Sequence, residues 1–441
     1  MNKPINRRNL LKKTAGCAVG LIGFPYIVRS SALGMNGTTS PSNRLTMAQI
    51  GCGSQGSGDM NNFLTYKSEL QVVAVCDVDG NNANRGKQSV DRAYGTSDCR
   101  TYGDYRDLLD KEKIDIVSHA MPDHWHGIVS VACARKGIDI FGQKPLARTI
   151  YEGRAICNAV AEYGIIWQTG SWQRSVANFR RAVELVRNGR IGKVSYIEVG
   201  LPNGNRQGPA PNSKPKPEAL DYEMWLGPAP WHPYQSFSGN GNSVHWDWRW
   251  IMDYSGGQLT DWAGHHVDIA HWGMDMDHAG PVVIENASAK YPTQGIYNTP
   301  YEYEFDCLYK NGLRMKVANS GRQPHGMGTC WYGEGGRWIH VSRGGLQASD
   351  PKILKEQIGP DEIQVYYSQD HFRNFLDCVK SRKETITPAE TAHRSISVGL
   401  LGEIAMLTGR KLNWDPKNEQ FVGDEQANRC LTRSFRSPWH L

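Results

Sequence analysis

Leu45-Thr46-Met47-Ala48-Gln49-Ile50-Gly51-Cys52-Gly53-Ser54-Gln55-Gly56 is an apolar run that ends in a G-x-G-x-x-G turn. Working outward, Gln71-Val72-Val73-Ala74-Val75-Cys76 is a second apolar run, closing on Asp77, twenty-one residues past Gly56. The order predicts strand, tight turn, helix, strand and acid, a context that marks a dinucleotide site far better than three glycines alone. Gly51 permits the turn. Gly53 lets the turn's backbone, Ser54 and Gln55 included, approach a pyrophosphate, and Gly56 lets the helix sit close to the strand. The phosphates then meet a helix N-terminus, where free N–H groups and the dipole favour anions. Asp77 can accept hydrogen bonds from a ribose 2′-hydroxyl and would repel a 2′-phosphate. Val78-Asp79-Gly80 offers no arginine to reverse this, so NAD is favoured over NADP.

The chain ahead of Leu45 reads differently. Asn6-Arg7-Arg8-Asn9-Leu10-Leu11-Lys12 has the twin-arginine pattern, a mildly apolar stretch follows, and Ser30-Ser31-Ala32 supplies small residues for cleavage. Residues 1–32 are therefore expected to be a signal peptide and the protein to be periplasmic or otherwise exported. The stretch is too short and Gly-rich for a membrane span, so no integral membrane segment is expected in the mature chain. A lipoprotein reading at Cys17 is weaker, because Lys12 and Lys13 stand where apolar residues should be. The leader also accounts for the charge. Its six Lys and Arg, with no acid, cancel the formal net charge of +6 and leave a mature chain near neutral. Neither nucleic acid nor an anionic surface is indicated as a partner. The ten cysteines are scattered without C-x-x-C, so no disulfide framework is expected.

From Leu45 onward the alternation continues. Helices are expected near 82–93, 104–110, 127–136 and 151–163, and strands at 114–120, 138–141 and 165–169. This is the pattern of a doubly wound parallel sheet, a Rossmann domain spanning 45–170. Pro122 and His126 fall where the third of its long strands ends, at the carboxyl edge where such sheets bind ligands. The segment 202–233, rich in Pro, Gly and Asn, reads as an ordered excursion.

The order G-x-G-x-x-G, strand-end Asp, P-D-x-x-H and then Lys-Pro after a strand resembles the Gfo/Idh/MocA oxidoreductases, from Thr46 to the C-terminus. The family's Glu-Lys-Pro reads Gln143-Lys144-Pro145 here, so the lysine is kept and the neighbouring charge is lost. The resemblance implies an α+β domain with an open-faced β-sheet over 171–441, for which 192–199, 285–290, 301–309, 314–317 and 338–341 alternate as strands. It also implies pairing of subunits into a homo-oligomer. Asp261 and His265 match the family's D-x-x-x-H. On a helix they share a face with Asp268, while His266 points roughly 100° away. His266 and His271 read as satisfied structural histidines. Asp268 reads as a surface or hydrogen-bonding residue or a substrate contact. His265, His266, Asp268 and His271 are also suitable atom types for a metal set, but beside a Rossmann half no metal is expected.

The implied chemistry is hydride transfer from a secondary hydroxyl of a sugar or sugar derivative to NAD. Lys144 then supports the developing alkoxide and contacts the cofactor, His265 moves the proton, and Asp261 holds a positive partner or the substrate. Seven of the fourteen Trp fall between Trp225 and Trp272, a density that suits sugar binding. Trp248, Trp172 and Arg174 are the further substrate candidates. The alternative activity is an NAD-dependent glycoside hydrolase that oxidises the ring transiently and eliminates the leaving group. Residues 391–409 read as an amphipathic helix.

Overall fold

Short Val-, Ile- and Ala-rich runs alternate with helices through the first part of the chain, as their spacing predicts. In order these are β1 (Leu45–Ile50), α1 (Ser54–Leu64), β2 (Leu70–Cys76), α2 (Gly80–Tyr94), β3 (Arg100–Tyr102), α3 (Tyr105–Lys111), β4 (Ile116–His119), α4 (Asp123–Arg135), β5 (Asp139–Gly142), α5 (Ile150–Tyr163) and β6 (Trp167–Thr169). The computed structural model describes residues 43–236 and 244–441, so the expected leader over 1–32 lies outside the described residues. The six strands form one parallel sheet in the order β3-β2-β1-β4-β5-β6. Direction of travel reverses between β1 and β4, and ligands of doubly wound sheets bind at that switch point, outside the carboxyl ends of the strands.

The rest builds a second sheet. After α6 (Ala177–Arg187) come β7 (Tyr196–Leu201), α7 (Tyr222–Leu226) and α8 (Gly257–Gly273). Then follow β8 (Val283–Lys290), β9 (Glu302–Leu308), β10 (Arg314–Asn319), β11 (Gly328–Tyr332), β12 (Trp338–Ser342) and β13 (Gly345–Ala348). Helices α9 (His371–Ser381) and α10 (Ala389–Thr408), strands β14 (Leu412–Asp415) and β15 (Gln420–Phe421), and α11 (Glu425–Arg429) complete the chain. The nine strands run β13-β12-β11-β7-β10-β9-β8-β14-β15 and are antiparallel except where β7 meets β10. Tyr303, Phe305 and Cys307 of β9 are buried, while Glu302, Glu304 and Asp306 between them are half-buried. That alternation marks a sheet with one face on the core and one open. On the open face the charges pair across strands, as in Lys316–Glu304 and Lys290–Glu302.

Two helices differ from the sequence reading. Residues 391–409 were expected to be amphipathic, yet α10 is buried along nearly its whole length. Its small residues admit close neighbours: a Cβ on Gly402 would meet the Phe305 ring at 2.3 Å, and one on Gly399 would meet Ala263 at 2.9 Å. The α4 helix starts at Asp123, four residues before the expected start, because Pro122 occupies its N-cap and Asp123 its first turn.

Burial also sets how the fold responds to acid. It pushes His124 and His266 down to about 3, and His271, His340 and His371 down to about 4. In an unfolded chain these rings titrate near 6.5. Between the two values the unfolded chain binds more protons, so stability falls as pH falls. The melting midpoint is expected to drop steadily from about pH 6.5 to about pH 4, each ring adding up to ~1.4 kcal/mol per pH unit. Calorimetry across that range checks this, and a flat midpoint would contradict neutral burial.

Candidate active site

The cofactor end follows from the first turn. Gly51 has φ +81°, and a Cβ there would sit 2.3 Å from the Ala120 carbonyl oxygen; on Gly56 it would sit 1.9 Å from that of Gly51. Both positions therefore exclude side chains. Gly53 is the opposite case, with nothing within 4 Å of an added Cβ, so the turn faces open space. Helix α1 begins there without a side-chain cap and without an acid in its first turn, whereas α2 is capped by Asp79. Its first N–H groups, on Ser54, Gln55 and Gly56, are left for an anion. Asp77 ends β2 with both oxygens already engaged, Oδ2 accepting from Cys52 N at 2.7 Å and Oδ1 from Asp79 N at 2.8 Å. These bonds hold the carboxylate in place, and each oxygen keeps a lone pair for a ribose hydroxyl. The residues thus fit a dinucleotide.

One cleft of about 1080 Å³, part of it open to solvent, joins this loop and Asp77 to Pro122, Lys144, Trp248, Arg249 and Asp261. Asp77 follows β2 and Lys144 follows β5, three strand spacings away, or roughly 14 Å. At the far end Lys144 Nζ donates to Asp261 Oδ1 at 2.7 Å, and Arg249 Nε stands 4.0 Å from the same oxygen. Burial pushes the Asp261 carboxyl up, but Lys144, Arg249 and Arg343 outweigh it and hold the group below its ordinary value. The pair bridges the two domains, and Ser171 Oγ, donating to the Gly264 carbonyl at 2.6 Å, fixes α8 beside it. His265 lies one turn beyond Asp261 and is 3 % exposed, with no hydrogen-bond partner at Nδ1 among the described residues. Burial first, then the charges of Lys144 and Arg343, push it well below the usual histidine range, so its ring is neutral.

Several candidates lie elsewhere than the sequence suggested. Arg174 does not reach the cleft. It is 2 % exposed and clamped by Asp268, at 2.7 and 2.9 Å, and by Asp277, at 2.8 Å. Of the roles open to Asp268 it has the hydrogen-bonding one, accepting from Arg174 in the interior, and it is neither a surface residue nor a substrate contact. His126 sits inside α4, buried, with Nδ1 2.7 Å from the Pro145 carbonyl and Nε2 2.9 Å from that of Met121. It braces the loop that carries Lys144 and does not line the cleft. His271 Nε2 meets the Tyr309 hydroxyl at 2.8 Å while its Nδ1 is buried without a partner, and both ring nitrogens of His266 are buried without one among the described residues. Trp172 is 40 % exposed near α8, and Trp248 lines the cleft under Arg249.

Three residues escaped the sequence reading. Asp123, from the start of α4, lines the cleft and accepts from Ser255 Oγ at 2.6 Å. Asp59, on α1, accepts from Gln143 Nε2 at 2.8 Å and from Gln55 Nε2 at 2.9 Å. The carboxylate missing from position 143 is thus supplied from below. Burial raises Asp59 to about 6, opposed by those two amides and Lys144. The third is Arg343, at the turn between β12 and β13, whose charge acts on both Asp261 and His265. Only the D-H-W-H stretch at Asp123 gave any local signal, a first-turn acid.

A Rossmann half and an open sheet, joined across a Lys–Asp pair, make a two-domain frame whose first half fits a dinucleotide. Residues 45–171 match the NAD-binding Rossmann fold of the Gfo/Idh/MocA oxidoreductase family, and residues 208–441 match its C-terminal alpha/beta domain. The chain belongs to that family. It is similar to a "Glycosyl hydrolase family 109 protein" of Shewanella pealeana, 25 % identical over 212 residues, 44 % of this chain and 45 % of that protein. It is similar also to an inositol 2-dehydrogenase of Salmonella typhimurium, 26 % identical over 145 residues, 33 % of this chain and 42 % of that one. The matches span less than half the length of these curated relatives. The WlbA dehydrogenase from Bordetella pertussis, solved with NADH and UDP-GlcNAcA, shares the fold. Its TM-score is 0.60 at 15 % identity, over 84 % of this chain and 99 % of that one.

Proposed function

We propose that the protein is an exported NAD-dependent oxidoreductase acting on a secondary hydroxyl of a sugar or sugar derivative. The observation that carries this is the Lys144–Asp261 pair, set in the same cleft as the glycine turn and three strands along from Asp77. Bound NAD supplies the hydride acceptor. Ser54, Gln55, Gly56 and Asp77 would hold its adenosine and phosphate portion, and Asp77 favours it over NADP. Lys144 donates a hydrogen bond to the substrate hydroxyl and stabilises the negative charge that develops on that oxygen. His265, held neutral, is the base that takes the hydroxyl proton. Asp261 keeps the lysine in position. The twin-arginine leader supports export, and the open face of the nine-stranded sheet supports a homo-oligomer.

Denaturing the purified protein and identifying the released nucleotide tests the cofactor. NAD in either redox state is the expected result, and NADP or no nucleotide would count against it. Tight carriage follows from export, since a protein outside the cytoplasm meets little free dinucleotide. The relative of the glycosyl hydrolase type favours one second reading, transient ring oxidation followed by elimination and return of the hydride. Sugar released from a glycoside without net change at the reduced-nicotinamide absorbance band would select it. Net reduction would select the dehydrogenase.

A further inference from the structure

Arg343, exposed at the turn between β12 and β13, has no carboxylate of its own. The structurally placed arginines are paired: Arg148 with Glu403, Arg154 with Glu390 and Glu419, Arg174 with Asp268 and Asp277, Arg433 with Glu152. No described residue accepts a hydrogen bond from the Arg343 guanidinium or forms an ion pair with it. It is nevertheless held. Its Cζ lies 4.5 Å from the Trp172 ring centroid and 4.5 Å from that of Trp262. Trp262 in turn touches both His265 and His266. The guanidinium therefore stands between two indoles, oriented by their faces, with its N–H edge uncommitted. Asp261 lies within range of its charge, but that carboxylate is already taken by Lys144.

We propose that Arg343 is a specificity-determining residue that binds a carboxylate of the substrate, so that the preferred ligand is an acidic sugar, a hexuronate or its glycoside. Four points support this. A guanidinium presents two parallel N–H groups that match the two oxygens of a carboxylate. Clamping between Trp172 and Trp262 removes much of the side-chain freedom that such a bond would otherwise cost. The cation is near His265 and Asp261 without belonging to the Lys144 pair, so it can hold one end of a sugar whose hydroxyl lies at Lys144. Finally, Arg343 fills the gap between the indoles, which closes that gap to the face of a neutral sugar ring.

The proposal rests on the reading of the site as that of a sugar oxidoreductase. Its test uses the intact NAD-loaded protein and matched ligands: glucuronate and galacturonate, their methyl esters, their neutral hexose parents and a sulfated hexose. Binding is measured by calorimetry and turnover by nicotinamide absorbance. The wild type is expected to favour an acid over its ester and its parent by on the order of 10- to 100-fold, the range of a charge-assisted bidentate pair. In Arg343→Gln the ratio of kcat/KM for acid over neutral parent should collapse to within about 3-fold, while Arg343→Lys recovers part of it. The ester series makes the same comparison on the unaltered protein, independent of how the variants fold. Equal or better binding of the neutral parents, an unchanged preference in Arg343→Gln, or a sulfated hexose preferred over the uronates would each overturn the proposal. If no sugar of either kind binds or turns over, the oxidoreductase reading fails and takes this one with it. That outcome is distinct from neutral sugars being accepted.

Discussion

Replacing Lys144 by alanine is expected to lower turnover by roughly 10²–10⁴-fold while bound NAD is retained. The size follows from what the ammonium does. In the proposed mechanism it is the donor to the substrate oxygen on which negative charge develops, and its side chain is 16 % exposed. The fold should survive the change. Asp261 keeps Arg249 at 4.0 Å, so the carboxylate is not left without a cation. NAD should stay because the glycine turn and Asp77 lie three strands away. His265→Ala should cause a loss of the same order, since the ring is the neutral group beside the pair. Near-normal kcat in both variants would remove these residues from the mechanism.

Arg174→Met has the opposite signature. It leaves Asp268 and Asp277 facing each other in the interior without their cation. Removing one partner of a buried pair costs about 3–5 kcal/mol. A melting midpoint lowered by roughly 4–6 °C is expected. The KM for a sugar should be unchanged in the protein that remains folded. An unchanged midpoint with a raised KM would restore Arg174 to the substrate site, where its place beside Trp172 in the chain first suggested it.

The contrast between these residues shows what the chain order carries. The glycine turn and Asp77 were legible because each depends on neighbours a few residues away: a strand must end or a turn must tighten. The parallel sheet was legible for the same reason, from alternating runs. Lys144, Asp261 and His265 came from the family resemblance, and the fold brings Lys144 against Asp261. Arg174 was misread because its partners stand about a hundred positions further on, and nothing near it announces them. Arg343 was missed because it sits in an ordinary hairpin turn. It gains meaning only when the sheet delivers it between Trp172 and Trp262. His126 was misplaced with the start of α4, where a proline in the cap position reads as readily as loop.

The Asp59–Gln143 bond bears on how such chains diverge. The two residues are 84 positions apart, yet a single hydrogen bond joins them. Where the family's Glu-Lys-Pro has its acid at the strand end, this chain has Gln143, and the buried carboxylate that Gln143 meets comes from Asp59 on the first helix. Either substitution alone, Asp59→Asn or Gln143→Glu, puts no carboxyl or two carboxyls there. The double exchange restores one. The two positions are therefore expected to covary, each constrained by the other's charge more than by its own neighbours.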